Sequence, residues 1–224
     1  PTICIKENDI MDQEVEIISS ETRKEKIKNF IINKKKRIIS TLIFFLFILF
    51  SFFFYQEYEK GHREFLANKY NSAIIEYKAG DKTKILNSMK EIIEDKDKTY
   101  SPLAFYYLLD NDLITSKKDI NKYFDILINQ IGLDKENKNL TIFKKGLFNS
   151  EFANESELLN ILNPVIKSDS IWKPHALYLM AEYYFAKQEK LKSKEFFEQL
   201  IVLEDISFKI KVEAQKRLRS DFSE

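Results

Sequence analysis

The stretch Ile38–Tyr55, IISTLIFFLFILFSFFFY, decides how this chain is read. Its 18 residues are 7 Phe, 4 Ile, 3 Leu, 2 Ser, 1 Thr and 1 Tyr, and none is charged. As a helix it covers most of a hydrocarbon core about 30 Å thick. Its Ile, Leu and Phe side chains favour insertion by at most about 4–8 kcal/mol. The competing reading, a buried helix of a soluble core, conflicts with the lack of any polar face over this length. The expectation is a single transmembrane helix at residues 38–55. It is expected to remain uncleaved, because the apolar run begins deep in the sequence and no small-residue cleavage site follows it.

The flanks give an orientation. Lys34, Lys35, Lys36 and Arg37 precede the run, and residues 20–37 hold eight Lys and Arg against two Glu. On the other side Tyr55-Gln56-Glu57-Tyr58-Glu59-Lys60 is aromatic and mixed in charge. The side richer in Lys and Arg stays in the cytoplasm, so Lys34–Arg37 are the topogenic residues. Residues 1–37 are then a cytoplasmic basic segment and residues 56–224 an exported domain. Within the first segment, Pro1–Asp12 reads as disordered and Gln13–Asn33 as weakly helical, with Ser20 and Thr22 able to cap a helix start near Glu21.

Composition narrows the class of the exported part. The whole chain has 36 Lys and Arg against 35 Asp and Glu, and the part after the span is near neutral. No basic face is extensive enough to suggest nucleic acid. Only 4 Gly and 4 Pro in 224 residues disfavour a turn-rich β protein. The single cysteine, Cys4, falls in the cytoplasmic segment, so the exported domain must be held by its core alone.

Short helical patterns follow one another from residue 57 to the end. Helices are expected over 57–79 with Gly80-Asp81 as a stop, 84–94, from Ser101-Pro102, 119–131, 140–152, 155–167 with Pro164 bending or ending it, 173–187, 191–203 and 207–219. Antiparallel pairs joined by tight polar turns are the pattern of an α-solenoid, with an irregular helical bundle as the alternative. The clearest unit is PHALYLMAEYYFAKQEKLKSKEFFEQL, residues 174–200. Ala181 and Ser193 are the small contacts of this hairpin, Tyr184 packs one turn on, and Phe197 and Leu200 close it. The spacing is tetratricopeptide-like, although Ser193 stands where Ala is usual and no Pro ends the repeat. A degenerate second copy is expected from Ser101-Pro102-Leu103-Ala104, 72 residues before Lys173-Pro174-His175-Ala176. Three to four units are expected in all.

This layout resembles the bacterial single-pass inner-membrane proteins with a periplasmic tetratricopeptide-like domain, a family that includes the ancillary subunit of the Sec translocon. Three stretches carry the resemblance: Ala79-Gly80-Asp81, Leu162-Asn163-Pro164-Val165 followed by Ile171-Trp172, and the run from Ala176 to Leu218. The resemblance implies a non-catalytic scaffold in the inner membrane. Its partners would be translocon subunits, periplasmic chaperones or an emerging polypeptide. A scaffold for envelope assembly or cell division is the alternative within this class.

A membrane-anchored enzyme is the alternative from a different class, and it would need convergent polar groups in one pocket. The sequence offers no phosphate-cradling Gly loop, no metal cluster and no local nucleophile–base pairing, so no catalytic, metal or cofactor residue is assigned. His62 reads as interfacial and His175, beside Trp172, as a packed or surface residue. The aromatic residues of the helices read mostly as core. Tyr106, Tyr107, Tyr178 and Tyr183 are the candidates to line a groove that receives a peptide or a partner helix.

Overall fold

The computed structural model describes residues 2–78, 80 and 82–222, with side chains described at 25, 28, 30, 32–77, 80, 82–220 and 222. The described residues form nine helices and no strand, as the scarcity of Gly and Pro leads one to expect. The helices are α1 (Thr2–Lys78), α2 (Lys82–Asp95), α3 (Tyr100–Asp110), α4 (Lys117–Asn129), α5 (Lys135–Asn149), α6 (Glu155–Ile166), α7 (Lys173–Ala186), α8 (Lys190–Ile201) and α9 (Phe208–Asp221). The chain divides into two compact units, Pro1–His62 and Arg63–Glu224.

The first unit belongs to α1. The disorder expected over Pro1–Asp12 gives way to helix from Thr2, and no separate helix starts near Glu21. The reason is in the sequence: no Gly or Pro lies between Thr2 and Lys60 to interrupt the backbone ladder. Pro1 lies outside the described residues. Every residue from 38 to 55 is exposed, including Phe47 at 72% and Phe54 at 75%. An 18-residue window here has mean hydropathy 2.5 and none of it is covered by protein. The helix is therefore long and apolar enough to span a membrane. An apolar surface of this size left bare in water would be an aggregation site, and a bilayer removes that cost.

The second unit is a chain of short amphipathic helices. Residues at helical spacing turn inward, as Ile85, Met89, Ile92 and Ile93 do on α2. The termini are set by local hydrogen bonds. Ser116, Asp134 and Asn154 accept the N–H groups of Asp119, Asn137 and Glu157 at 3.3, 3.0 and 2.9 Å. Glu157 returns the bond to the Asn154 N–H at 3.0 Å, completing a capping box. Pro164 does not end α6: it lies inside the helix, which runs on to Ile166. Of the stop expected at Ala79-Gly80-Asp81, Ala79 and Asp81 lie outside the described residues. Gly80 has φ +103° and its N–H reaches the Tyr77 carbonyl at 2.9 Å.

Each helix from α2 to α9 packs on its neighbours in sequence, and α2–α4 and α5–α7 also meet. The interior falls into three groups. The first holds Leu66, Ile92, Phe105 and Phe124. The second, between α5, α6 and α7, holds Leu158, Leu162, Met180 and Tyr184. The third, between α7, α8 and α9, holds Leu177, Ala181, Phe197 and Ala214.

The α7–α8 hairpin matches the expected unit closely. Ala181, Ser193, Phe197 and Leu200 are all fully buried, and the turn between the helices contains Gln188 at φ +63°. The N–H groups of Gln188 and Glu189 reach the Phe185 and Tyr184 carbonyls at 3.0 and 2.9 Å, a Schellman closure with Gln in the left-handed position. The expected second copy does not share this phase. Where α7 packs most closely on the helix that follows it, α3 packs most closely on the preceding α2. Ser101 fixes that pairing by donating to the Ile92 carbonyl at 2.8 Å in the buried interface. The first turn of α3 thereby belongs to a hairpin with α2.

Candidate functional site

A largely apolar depression on the second unit lies between α5, α7 and α9 and measures about 570 Å³. Phe143 and Leu147 come from α5, His175, Tyr178 and Leu179 from α7, and Ile210 from α9. The α5–α7 contact is what brings the first two helices to the same wall. Leu147 is 51% exposed, so a large aliphatic side chain faces water at this wall. Glu182, Lys209 and Glu213 also line the depression.

Aromatic packing holds one wall in place. Phe143 stacks on Trp172 with ring centres 6.0 Å apart and planes 18° apart. His175 sits against both, 5.8 Å from Phe143 and 5.2 Å from Trp172. Its Nδ1 is buried with no hydrogen-bond partner among the described residues, so polar satisfaction is incomplete at this wall. The opposite side is fixed by charge. Arg217 of α9 grips the Glu182 carboxylate with two N–H donors, at 2.9 Å through Nε and 2.5 Å through the terminal nitrogen. Its guanidinium also lies 4.5 Å from the Phe185 ring centre. A two-pronged pair of this kind sets the position of α9 against α7 with little freedom.

The four tyrosines expected to form a groove are distributed among the three packing groups. Tyr178 lines the depression, edge-on to Phe197 at 5.6 Å. Burial, and then the neighbouring Glu182 charge, push its hydroxyl pKa up. Tyr183 is buried and donates to the Ala153 carbonyl at 3.0 Å, tying α7 to the α5–α6 connection. Burial first and Glu155 second raise its pKa. Tyr106 donates to the Thr141 hydroxyl of α5 at 3.3 Å, with Lys144 Nζ 3.7 Å from its ring centre. Its pKa is raised by burial, partly offset by the Thr141 contact. Tyr107 packs edge-on against Tyr70 and Tyr77 of α1, at 6.2 and 6.3 Å. Of the four, Tyr178 alone is at the α5–α7–α9 depression. The residues sequence reasoning passed over there are Phe143, Leu147 and Ile210, which read as ordinary core positions of their helices. Lys34, Lys35, Lys36 and Arg37 are exposed on α1, immediately before the apolar run.

A second depression of about 690 Å³ at α2 and α4 is of a different kind. Glu94, Lys96, Lys118, Lys122 and Asp125 line it. Lys122 pairs with Glu94 at 3.2 Å, and Lys145 of α5 with Asp125 at 2.7 Å, which is the character of a solvated ion-pair surface. Near the α6 N-terminus, Glu155 accepts from Lys192 Nζ at 2.8 and 2.9 Å and from the Tyr184 hydroxyl at 2.9 Å. The Lys192 contact, then that of Tyr184, holds the Glu155 carboxyl below the usual carboxylate range. Among the described residues, no group of three or more His, Cys, Asp or Glu is placed to hold a metal ion. No family model, curated protein or solved structure matches the chain.

Proposed function

We propose that this chain is a non-catalytic, single-pass membrane scaffold whose helical array docks protein partners, with the α5–α7–α9 depression as the docking site. The observation that carries the reading is the composition of that depression. Phe143, Leu147, Tyr178, Leu179 and Ile210 make an open apolar wall next to the Glu182–Arg217 pair, on a chain that also carries an uncovered apolar helix. A peptide or amphipathic helix offers the apolar side chains that such a wall lacks. The packing of successive helices on their sequence neighbours supports a tetratricopeptide-like solenoid. In that architecture α5, α7 and α9, alternate members of the series, would line one surface.

The finer reading rests on Lys34–Arg37 and on the resemblance. It places the N-terminus in the bacterial cytoplasm, residues 38–55 in the inner membrane and the array in the periplasm. There the partners would be translocon subunits, periplasmic chaperones or emerging polypeptides, and the anchor would raise the array's effective concentration for them.

Photocrosslinking in native membranes tests this, with a photoreactive residue replacing Leu147 or Tyr178 and, as a control, Asp125. Adducts to export machinery or periplasmic chaperones from the first two positions alone are expected. Adducts only to division or cell-wall proteins would move the assignment to envelope assembly. Equal silence at all three positions would overturn the docking site.

A further inference from the structure

The charges on the wall of the α5–α7–α9 depression are not equally satisfied. Glu182, Lys209 and Glu213 all line it. Glu182 is compensated, because Arg217 holds its carboxylate through two N–H donors. Glu213 follows Ile210 by three residues and so shares its side of α9. It is half-buried, and among the described residues it has neither a hydrogen bond nor an ion pair. Lys209, one turn before it, makes no pair with it and is exposed to water. The charge of Glu213 is felt inside the depression: after burial and Glu182, it is a further cause of the raised pKa of the Tyr178 hydroxyl. A carboxylate half-withdrawn from water, on a wall that also holds Phe143, Leu147 and Ile210, has lost hydration without gaining a cation in exchange.

We propose that the occupant of this depression is a protein segment in which apolar side chains are flanked by a lysine or arginine, with Glu213 receiving that cation. The inference rests on the reading of the depression as a docking site and adds what the site selects. The apolar side chains of the segment cover Leu147 and Ile210, and the exclusion of water there strengthens the new ion pair. A segment with an acidic residue at the same place meets Glu213 as a like charge and is rejected. Selection then works by repulsion as well as by attraction.

The test uses the full chain in zwitterionic nanodiscs and three fluorescent amphipathic peptides. The peptides are identical except at the two edges of the apolar stripe, which carry Lys, Gln or Glu. Anisotropy titrations read their affinities. The Lys peptide should bind about fivefold tighter than the Gln peptide, the strength of a good partly exposed ion pair, and the Glu peptide should bind most weakly. Glu213→Gln should abolish this preference and Glu213→Lys should reverse it, with helicity unchanged by circular dichroism. Comparison of the chains in the same discs cancels any binding of the peptides to lipid. Added salt should narrow the preference. Equal affinity for the three peptides, or a Lys preference that survives Glu213→Gln, would overturn the inference and leave the docking site standing. Binding of none of the three, or binding unaffected by Leu147→Asp, would refute the docking site itself, so the two failures are distinguishable.

Discussion

The hydroxyl of Ser193 donates to the Ala181 carbonyl at 2.8 Å, across the α7–α8 hairpin and shielded from water. The bond joins the two small residues that let these helices approach. It explains why Ser serves at the α8 position, since its hydroxyl satisfies a second bond at a carbonyl of the facing helix. Ser193→Ala should keep the packing and lose about 1 kcal/mol of stability. Ser193→Leu should lose more, about 1–3 kcal/mol, by forcing the helices apart. Denaturant unfolding of the two variants measures both, and the order of the losses separates hydrogen bonding from packing.

Gly146 makes the corresponding close approach between α5 and α6. A Cβ at this position would run into the Leu162 side chain. Gly146→Ala should therefore destabilise the array by about 1–3 kcal/mol despite its better helix propensity. In a double-mutant cycle, Leu162→Ala should recover part of that loss. An additive pair would show that the two positions do not touch.

Gln188 closes α7 with φ +63°, a conformation that costs a side-chain-bearing residue about 1 kcal/mol relative to Gly. Gln188→Gly should raise the thermal midpoint, in contrast to most substitutions in the domain. A lower midpoint would mean that the turn does not hold this conformation in solution.

Glu155 joins the starts of α6 and α8 through Lys192 and reaches Tyr184 of α7. Its folded-state pKa is lowered, so its contribution is present above the ordinary carboxylate range and disappears as pH falls through the lowered value. Glu155→Gln should flatten the acid limb of the stability–pH curve and leave the neutral region's slope unchanged. Melting curves from pH 7 down to pH 3, wild type against variant, read this directly.

Much of the architecture was legible because it depends on periodicity. Ile85, Met89, Ile92 and Ile93 announce α2, and the uncharged run from Ile38 to Tyr55 announces the apolar helix. Helix starts were less legible: α4 and α5 begin before their first large apolar residues because Ser116 and Asp134 cap them. Hairpin phase was not legible at Ser101-Pro102. A Pro stands in the first turn of both α3 and α7, yet the Ser101–Ile92 bond ties α3 backward. The apolar wall of the α5–α7–α9 depression was legible only at Tyr178, because which core-spaced residues stay uncovered depends on helix pairing. Phe143, Leu147 and Ile210 carry no local sign of that.

In the proposed function the chain crosses the membrane once and presents its helical array on the far side from Lys34–Arg37. Labelling with a membrane-impermeant maleimide tests it in spheroplasts, with Cys4→Ser and a single cysteine introduced at Phe30 or at Leu191, both exposed. Leu191→Cys should label in intact spheroplasts and Phe30→Cys only after permeabilisation. The reverse pattern, or labelling of both positions alike, would contradict it.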